Sequence, residues 1–318
     1  MPTSFALARN STNVRNALRF AWVRTSLGIA SAVAPARATE TASRLFTTPP
    51  RIPHTARELE LLSTGAPFRV RGPHGEIAAW RFGARGRPVV LLSHGWGGRG
   101  AQLRAFVPAL LGAGYQPVLF DHPGHGHSDG RESTLVHFVG AIDAVVRALE
   151  EEGERIAGIV GHSLGAAAAG AWLNQTRREI AAILVAPPTS LQRYSGYFAR
   201  KLGIPERIRR AMQEGFERKL GQPWRDFELP HSVAAVRARA LVVHDAGDRE
   251  VAFASGLALA RAWPGARLVR TEGLGHRAIV RDPAVVRDAI DFLDKRVVFA
   301  PPPAPGEWQA FAAPAPAF

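Results

Sequence analysis

The chain of 318 residues has no cysteine. That absence excludes disulfides, thiolate zinc sites, iron–sulfur clusters and a cysteine nucleophile; it leaves the compartment open, because a disulfide-free protein folds anywhere. Lysine is nearly missing as well. It stands only at 201, 219 and 295, so the formal net charge of +13 is carried by arginine. Acid is scarce at the start, where Glu40 is the only carboxylate against seven arginines in the first fifty-three residues. No apolar run reaches the ~18 residues of a membrane-spanning helix, so no transmembrane segment is expected. No zinc-finger spacing and no basic run with interleaved aromatics accompanies the charge, so nucleic acid is not expected as a partner. An Arg- and Ala-rich coding bias is the plainer source of the charge, and it leaves attraction to anionic lipid or acidic substrates open.

What is present is globular: 46% apolar and 21% charged residues. The expected organisation is a basic extension over 1–53, a catalytic domain over 54–299 with a helical cap at about 188–231, and a Pro/Ala-rich tail over 300–318. Ala34-Pro35-Ala36 loosely resembles a signal-peptide cleavage site, but Arg19 and Arg24 interrupt the apolar stretch before it. The expectation is an amphipathic helix lying on the domain or on a membrane surface, in a cytoplasmic, membrane-peripheral protein.

From residue 67 short apolar runs alternate with helical segments. Pro67–Arg71 and Ile77–Phe82 flank Pro-His-Gly and predict a hairpin. Pro88–Ser93, Pro117–Phe120, Ile156–Val160, Ala181–Ala186, Ala240–Val243 and Arg267–Arg270 have the length and continuous apolar character of strands buried on both faces. Helices are expected over Gln102–Ala113, Ser133–Glu152, Leu164–Gln175, Ser255–Trp263 and Pro283–Phe292. This is an α/β pattern, a mostly parallel, doubly wound sheet. The alternation breaks between Pro187 and His231, where Ile204, Ile208, Met212, Phe216 and Leu220 recur at every fourth position between Pro205 and Gly221. A lid is expected there; the plainer alternative is a surface helix packed on the core.

Gly161-His162-Ser163-Leu164-Gly165 follows an apolar run and precedes the Ala-rich segment Ala166–Trp172. It is the G-x-S-x-G pattern of a serine held on a strained strand-to-helix turn, with glycines where a Cβ would clash. The following helix would aim its N-terminus at a developing oxyanion. A second glycine-rich turn, His94-Gly95-Trp96-Gly97-Gly98, closes an earlier strand. The backbone N–H groups of Trp96 and Leu164 are therefore the expected oxyanion donors. With such an elbow the partners follow in the order Ser, acid, His. Asp248 in His244-Asp245-Ala246-Gly247-Asp248 is the expected acid, with Asp245 as the fallback, and His276 after Gly273-Leu274-Gly275 is the expected base. His94 and His162 read as structural, and His231 and His244 as satisfied loop or core residues.

The loop Asp121–Asp129 offers a competing set, since His125-x-His127-x-Asp129 resembles the opening of a metallo-hydrolase motif. Gly130 stands where the next ligand would be, and a Gly-rich turn fixed by Asp121 and Ser128 is the plainer reading. No metal and no cofactor are expected.

These residues resemble the α/β-hydrolase superfamily, in particular its serine-hydrolase branch of esterases, monoacylglycerol-lipase-like enzymes and serine aminopeptidases. The resemblance covers roughly 65–295. It rests on His94–Gly98, on Asp121–Ser128 as D-x-x-G-x-G-x-S, on Gly161–Gly165, and on Asp248 and His276 in family order. The family's acid usually sits in H-G-x-x-D; here Asp245 replaces that glycine. The resemblance implies acyl transfer from a small ester, thioester or amide through Ser163. The other class in play is a non-catalytic binding protein on the same scaffold. Tyr194, Tyr197, Phe198, Trp224 and Phe227 in the cap segment are the expected substrate contacts, for an apolar acyl group of short to medium length. Peripheral membrane contact is expected through the basic N-terminal segment.

Overall fold

The computed structural model describes residues 21–294. The chain divides into two compact units. Among the described residues, one comprises 48–190 and 227–294; the other joins 21–47 to 191–226. Residues 21–47, from the segment read as an extension, and residues 191–226, from the segment read as a cap, thus lie in one helical unit. The tail over 300–318 lies outside the described residues.

In the helical unit, α1 covers residues 21–33, α2 is Pro35–Thr47, α7 is Leu191–Leu202 and α8 is Glu206–Leu220. Their apolar stripes meet in a core of Leu27, Ala38, Ala42, Ala199, Ile204, Ile208, Met212 and Trp224. Of the fourfold spacing read over 204–220, Ile208 and Met212 are buried on α8, Ile204 is buried just before it, Phe216 is half-buried and Leu220 is exposed at its end. Pro205 precedes that helix and Gly221 ends it in the left-handed conformation (φ 68°), which glycine adopts without a Cβ penalty.

The other unit is built on one eight-stranded sheet. After α3 (Ala56–Thr64) come β1 (Ala66–Gly72), β2 (Gly75–Arg81), β3 (Val89–Ser93), α4 (Phe106–Gly112), β4 (Gln116–Phe120), α5 (Leu135–Glu151), β5 (Ile156–His162), α6 (Leu164–Thr176) and β6 (Ala181–Val185). The chain returns through α9 (Leu229–Ser232), β7 (Ala240–Asp245), α10 (Phe253–Ala262), β8 (Arg267–Thr271), α11 (Gly275–Ala278) and α12 (Pro283–Leu293). The strand order is β1-β2-β4-β3-β5-β6-β7-β8. β1–β2 and β2–β4 pair antiparallel; every other pair is parallel. This is the α/β-hydrolase fold.

Every residue of β3, β4, β6 and β7 is buried, as continuous apolar runs require when helices cover both faces. The edge strand β8 is half-buried throughout and carries Arg267 and Arg270, charges that discourage pairing with another chain.

Three helix starts differ from the sequence reading; α10 begins two residues early, at Phe253 rather than Ser255. Gln102–Ala113 is a 3-10 turn (Gly100–Leu103) followed by α4, because Pro108 has no N–H to close a bond to residue 104 and is tolerated only in a first turn. α5 is capped by Thr134, not Ser133: extended at φ −148°, Thr134 accepts the His137 N–H at 3.4 Å.

Candidate active site

β5 runs directly into α6, and the residue at the joint is Ser163, with φ 52° and ψ −123°. A non-glycine residue at positive φ is strained and persists only where its surroundings fix it. The flanking glycines show why the turn closes. A Cβ on Gly161 would lie 2.6 Å from Ala166 Cα and 2.7 Å from the Gly165 carbonyl oxygen, and one on Gly165 would strike the Ser93 and His94 carbonyl oxygens. Gly95 lets the loop after β3 press against the serine, since a Cβ there would stand 2.8 Å from Ser163 Cβ.

The structure brings Ser163, His276 and Asp248 into one line. Ser163 Oγ lies 3.0 Å from His276 Nε2, and His276 Nδ1 lies 2.7 Å from Asp248 Oδ2. The Asp248 side chain is fully buried and its other oxygen accepts the N–H groups of Glu250 and Val251 at 2.8 and 2.9 Å. Burial works against its charge, but His244, His276 and the Val251 N–H together outweigh it and hold the carboxyl below the usual carboxylate range. A carboxylate beside Nδ1 fixes the imidazole tautomer with its proton on that nitrogen, leaving Nε2 to accept from the serine.

Asp245, the fallback acid, sits elsewhere. Its Oδ1 accepts the Gly247 N–H at 2.9 Å, and its Oδ2 accepts from Thr271 Oγ1 at 2.9 Å and the Leu274 N–H at 3.0 Å. It ties the β7 turn to the loop that carries His276. His162 does related work: its Nε2–H donates to the His276 carbonyl oxygen at 2.8 Å. His244 Nε2–H donates to the Val251 carbonyl at 2.9 Å and lies 3.5 Å from Asp248 Oδ2. The sequence reading left His244 as a core residue. Its spacing of four before Asp248 across a strand end was the available signal.

The Trp96 and Leu164 N–H groups enter none of the loop or cap backbone hydrogen bonds. The loop that holds Trp96 is pinned by buried imidazoles. His94 Nδ1–H donates to the Gly95 carbonyl at 2.8 Å, while its Nε2 accepts the His122 N–H at 3.0 Å. His125 Nε2 accepts the Gly97 N–H at 3.0 Å, while its Nδ1–H donates to the Pro123 carbonyl at 3.0 Å. Each ring must be neutral to offer one donor and one acceptor, and burial supplies that neutrality. Burial lowers His94 and drives His122 well below its ordinary value, and it brings His125 and His162 down to about 3.

The loop after β4 is fixed by Asp121 and Ser128. Asp121 accepts the N–H groups of Gly100 and His127, each at 2.8 Å, and Ser128 Oγ donates to the Asp121 carbonyl while accepting the Ala78 N–H at 2.8 Å. Burial opposes the Asp121 charge, but His127 and these N–H groups bring its carboxyl down to about 2. Of the residues in the alternative metal set, His125 is engaged by Gly97, and the Asp129 carboxylate accepts the Glu76 N–H at 3.1 Å.

Three of the five aromatic residues expected to touch substrate gather around one further ring, and two lie apart from it. Tyr194, Phe198 and Trp224 surround Phe46 of α2, with ring centroids 5.8, 5.2 and 5.9 Å away, inside the helical unit. Tyr197 lies under Lys201, whose Nζ stands 4.9 Å from the ring centroid, and Phe227 is half-buried at the end of a 3-10 turn. Phe46 was not singled out in the sequence because it falls in a segment read as an extension.

Residues 84–291 match the family model described as Serine aminopeptidase, S33. Epoxide hydrolase B of Mycobacterium tuberculosis is 37% identical over 93 residues, which is 28% of this chain and only 26% of that curated relative. Among solved structures, an esterase of Pyrococcus furiosus aligns at a TM-score of 0.61 and 19% identity over 78% of this chain and 97% of its own. An esterase from Rhodococcus sp. aligns at 0.54 and 20% identity over 73% and 98%. At such identities the two structures speak for the fold alone. A family match from β3 to β8 that takes in the serine turn and the histidine loop is more specific, and by it the chain belongs to the serine aminopeptidase S33 family of α/β-hydrolases.

Proposed function

We propose that this hydrolase cleaves ester bonds through an acyl-enzyme on Ser163, with His276 as general base and Asp248 as the residue that orients it. The observation that carries the reading is the continuous hydrogen-bonded line from Ser163 Oγ through both nitrogens of His276 to a buried carboxylate. Ser163 Oγ attacks the substrate carbonyl carbon as its proton passes to His276 Nε2. The N–H groups of Trp96 and Leu164 stabilise the oxyanion. The tetrahedral adduct collapses, the carbon–oxygen bond to the leaving group breaks, and His276 gives that oxygen its proton. Water then attacks the acyl carbon while His276 takes one of its protons. The second collapse frees the acid, and the proton returns to Ser163.

The curated relative is named for epoxide hydrolysis, and the nucleophile here weighs against that chemistry. A serine oxygen opening an epoxide would leave an ether, which has no carbonyl for water to attack. A carbonyl substrate leaves an ester, which water can release.

A fluorophosphonate probe should label the protein and fail to label Ser163→Ala, and turnover of p-nitrophenyl esters should fall by about 10⁴- to 10⁶-fold in that variant. A panel of such esters beside aminoacyl-arylamides reads the bond class, with esters of short to medium acyl chains expected to be turned over. Cleavage of the amides alone would reject the ester assignment; folded wild-type protein that takes no label and cleaves neither would favour a binding role.

A further inference from the structure

α1 exposes three large apolar side chains: Trp22, Ile29 and Val33 are 72%, 61% and 77% exposed. At about 100° per residue, positions 22, 29 and 33 fall within about 40° of one another on a helix. The opposite side of the same helix is buried, with Leu27 and Ser31 almost fully enclosed. Leu27 belongs to the core formed with Ala38, Ala42, Ile208 and Met212. The helix is thus held by one face and presents a second apolar face to solvent. Exposed apolar side chains scattered singly are ordinary; three in one stripe mark a surface that another phase covers.

The charge of the same unit says which phase. Among the described residues, 21–47 and 191–226 carry twelve Arg and Lys against five Asp and Glu, while 48–190 and 227–294 carry twenty-three against twenty-one. The smaller unit therefore holds seven of these nine net positive charges. No acid occurs on α1, and Arg24, Arg37 and Arg44 are exposed on α1 and α2. A second copy of the chain would bring this charge against itself. A nucleic acid would satisfy the charge and leave the aliphatic stripe in water. An anionic bilayer satisfies both: its headgroups attract arginine, and its acyl boundary takes tryptophan and aliphatic side chains. We propose that the helical unit docks on anionic membrane surfaces, with the Trp22–Ile29–Val33 stripe inserted at the headgroup–acyl boundary and its arginines over the headgroups. The inference stands independently of the chemistry at Ser163.

Co-sedimentation with phosphatidylcholine vesicles, with and without phosphatidylglycerol, tests it on the full chain. Binding to the anionic vesicles is expected to be tighter by about tenfold or more, and to weaken in ~1 M salt, where the Debye length falls to about 3 Å. Replacing Trp22, Ile29 and Val33 together by Ser should weaken it by about a hundredfold while ester turnover in vesicle-free buffer is kept. A second variant, Arg37→Glu with Arg44→Glu, should reduce the preference for anionic over neutral vesicles, and it carries the test if the triple variant fails to fold. Equal sedimentation with and without phosphatidylglycerol would overturn the proposal, as would undiminished binding by a folded triple variant. A concentration-dependent dimer that the triple variant loses, in a protein that ignores vesicles, would reassign the stripe to contact between copies.

Discussion

The two units divide the ionisable residues between them. All eleven histidines lie in the α/β unit, and the helical unit has none. Most of the net positive charge lies in the helical unit, while the α/β unit is close to balanced. The difference follows from what each unit builds. In the α/β unit, several loops after the parallel strands end in buried imidazoles, which can donate with one nitrogen and accept with the other. His94 and His125 use that capacity to fix loop backbone, while His162 and His244 each donate one bond to a backbone carbonyl and His122 bonds the Ser93 hydroxyl. The helical unit holds its backbone in helices and, among its described arginines, buries only Arg209 and leaves the others at the surface. One unit should therefore answer to protons and the other to salt.

The largest effect expected from a single isosteric change lies in the α/β unit. Asp248→Asn should keep the fold and lower kcat by about 10⁴-fold, because an amide no longer enforces the His276 tautomer. Steady-state turnover beside a urea unfolding curve checks it. A loss in stability as large as the loss in turnover would recast Asp248 as a structural residue.

Acid comes next. The folded-state values of His94, His122, His125 and His162 are all lowered from 6.5 by burial, two of them to about 3. Above 6.5 the folded and unfolded chains both hold these rings neutral. Between 6.5 and about 3 the unfolded chain binds protons that the folded chain refuses, so stability falls as pH falls. Each such ring contributes up to about 1.4 kcal/mol per pH unit in that window. The urea midpoint should therefore drop steeply from about pH 7 to about pH 5, roughly the titration range of an unperturbed imidazole. A flat midpoint would show that these imidazoles are not buried as drawn. The lowered carboxyl groups of Asp121 and Asp248 add a separate loss only below the ordinary carboxylate range, as pH falls through their folded values.

Phe46→Ala probes the helical unit. It removes the ring that Tyr194, Phe198, Phe216 and Trp224 surround, and should cost that unit about 3 kcal/mol. Hydrogen exchange resolved by segment should show faster exchange in α2, α7 and α8, with the central strands unchanged. The smallest expected effect is that of salt without lipid. Screening like charges should stabilise the helical unit by a few tenths of a kcal/mol to about 1 kcal/mol. The same segments would then exchange more slowly in salt, and a uniform response across both units would break the contrast.

The inner parallel strands were legible as short apolar runs, because residues buried on both faces of a parallel sheet need no alternation, and β1 and β2 were legible as a hairpin around Pro-His-Gly. The serine turn was legible for a related reason: a backbone this tight admits only glycine at Gly161 and Gly165, and such a requirement marks the sequence locally. Less was legible around the loops. Asp245 and Asp248 lie three residues apart in one turn, and no local rule separates them. Both are held by backbone N–H groups, and they differ in what else they meet: Asp245 faces Thr271 and Leu274, Asp248 faces His276. The aromatic residues of the helical segment were legible as apolar and as helical. Their partner Phe46 lies about 150 residues away in the chain, and periodicity carries no information across such a distance.

The sequence by itself determined the individual strands and helices, the strained serine between β5 and α6, and the amphipathic pattern of α8, since each depends on residues within a few positions of one another. Only the tertiary structure decided which carboxylate meets His276, which imidazoles pin the Trp96 loop, and that the N-terminal helices share a core with α7 and α8. Those outcomes depend on hydrogen bonds and packing between segments far apart in the chain, and such contacts exist only once the segments have folded against one another.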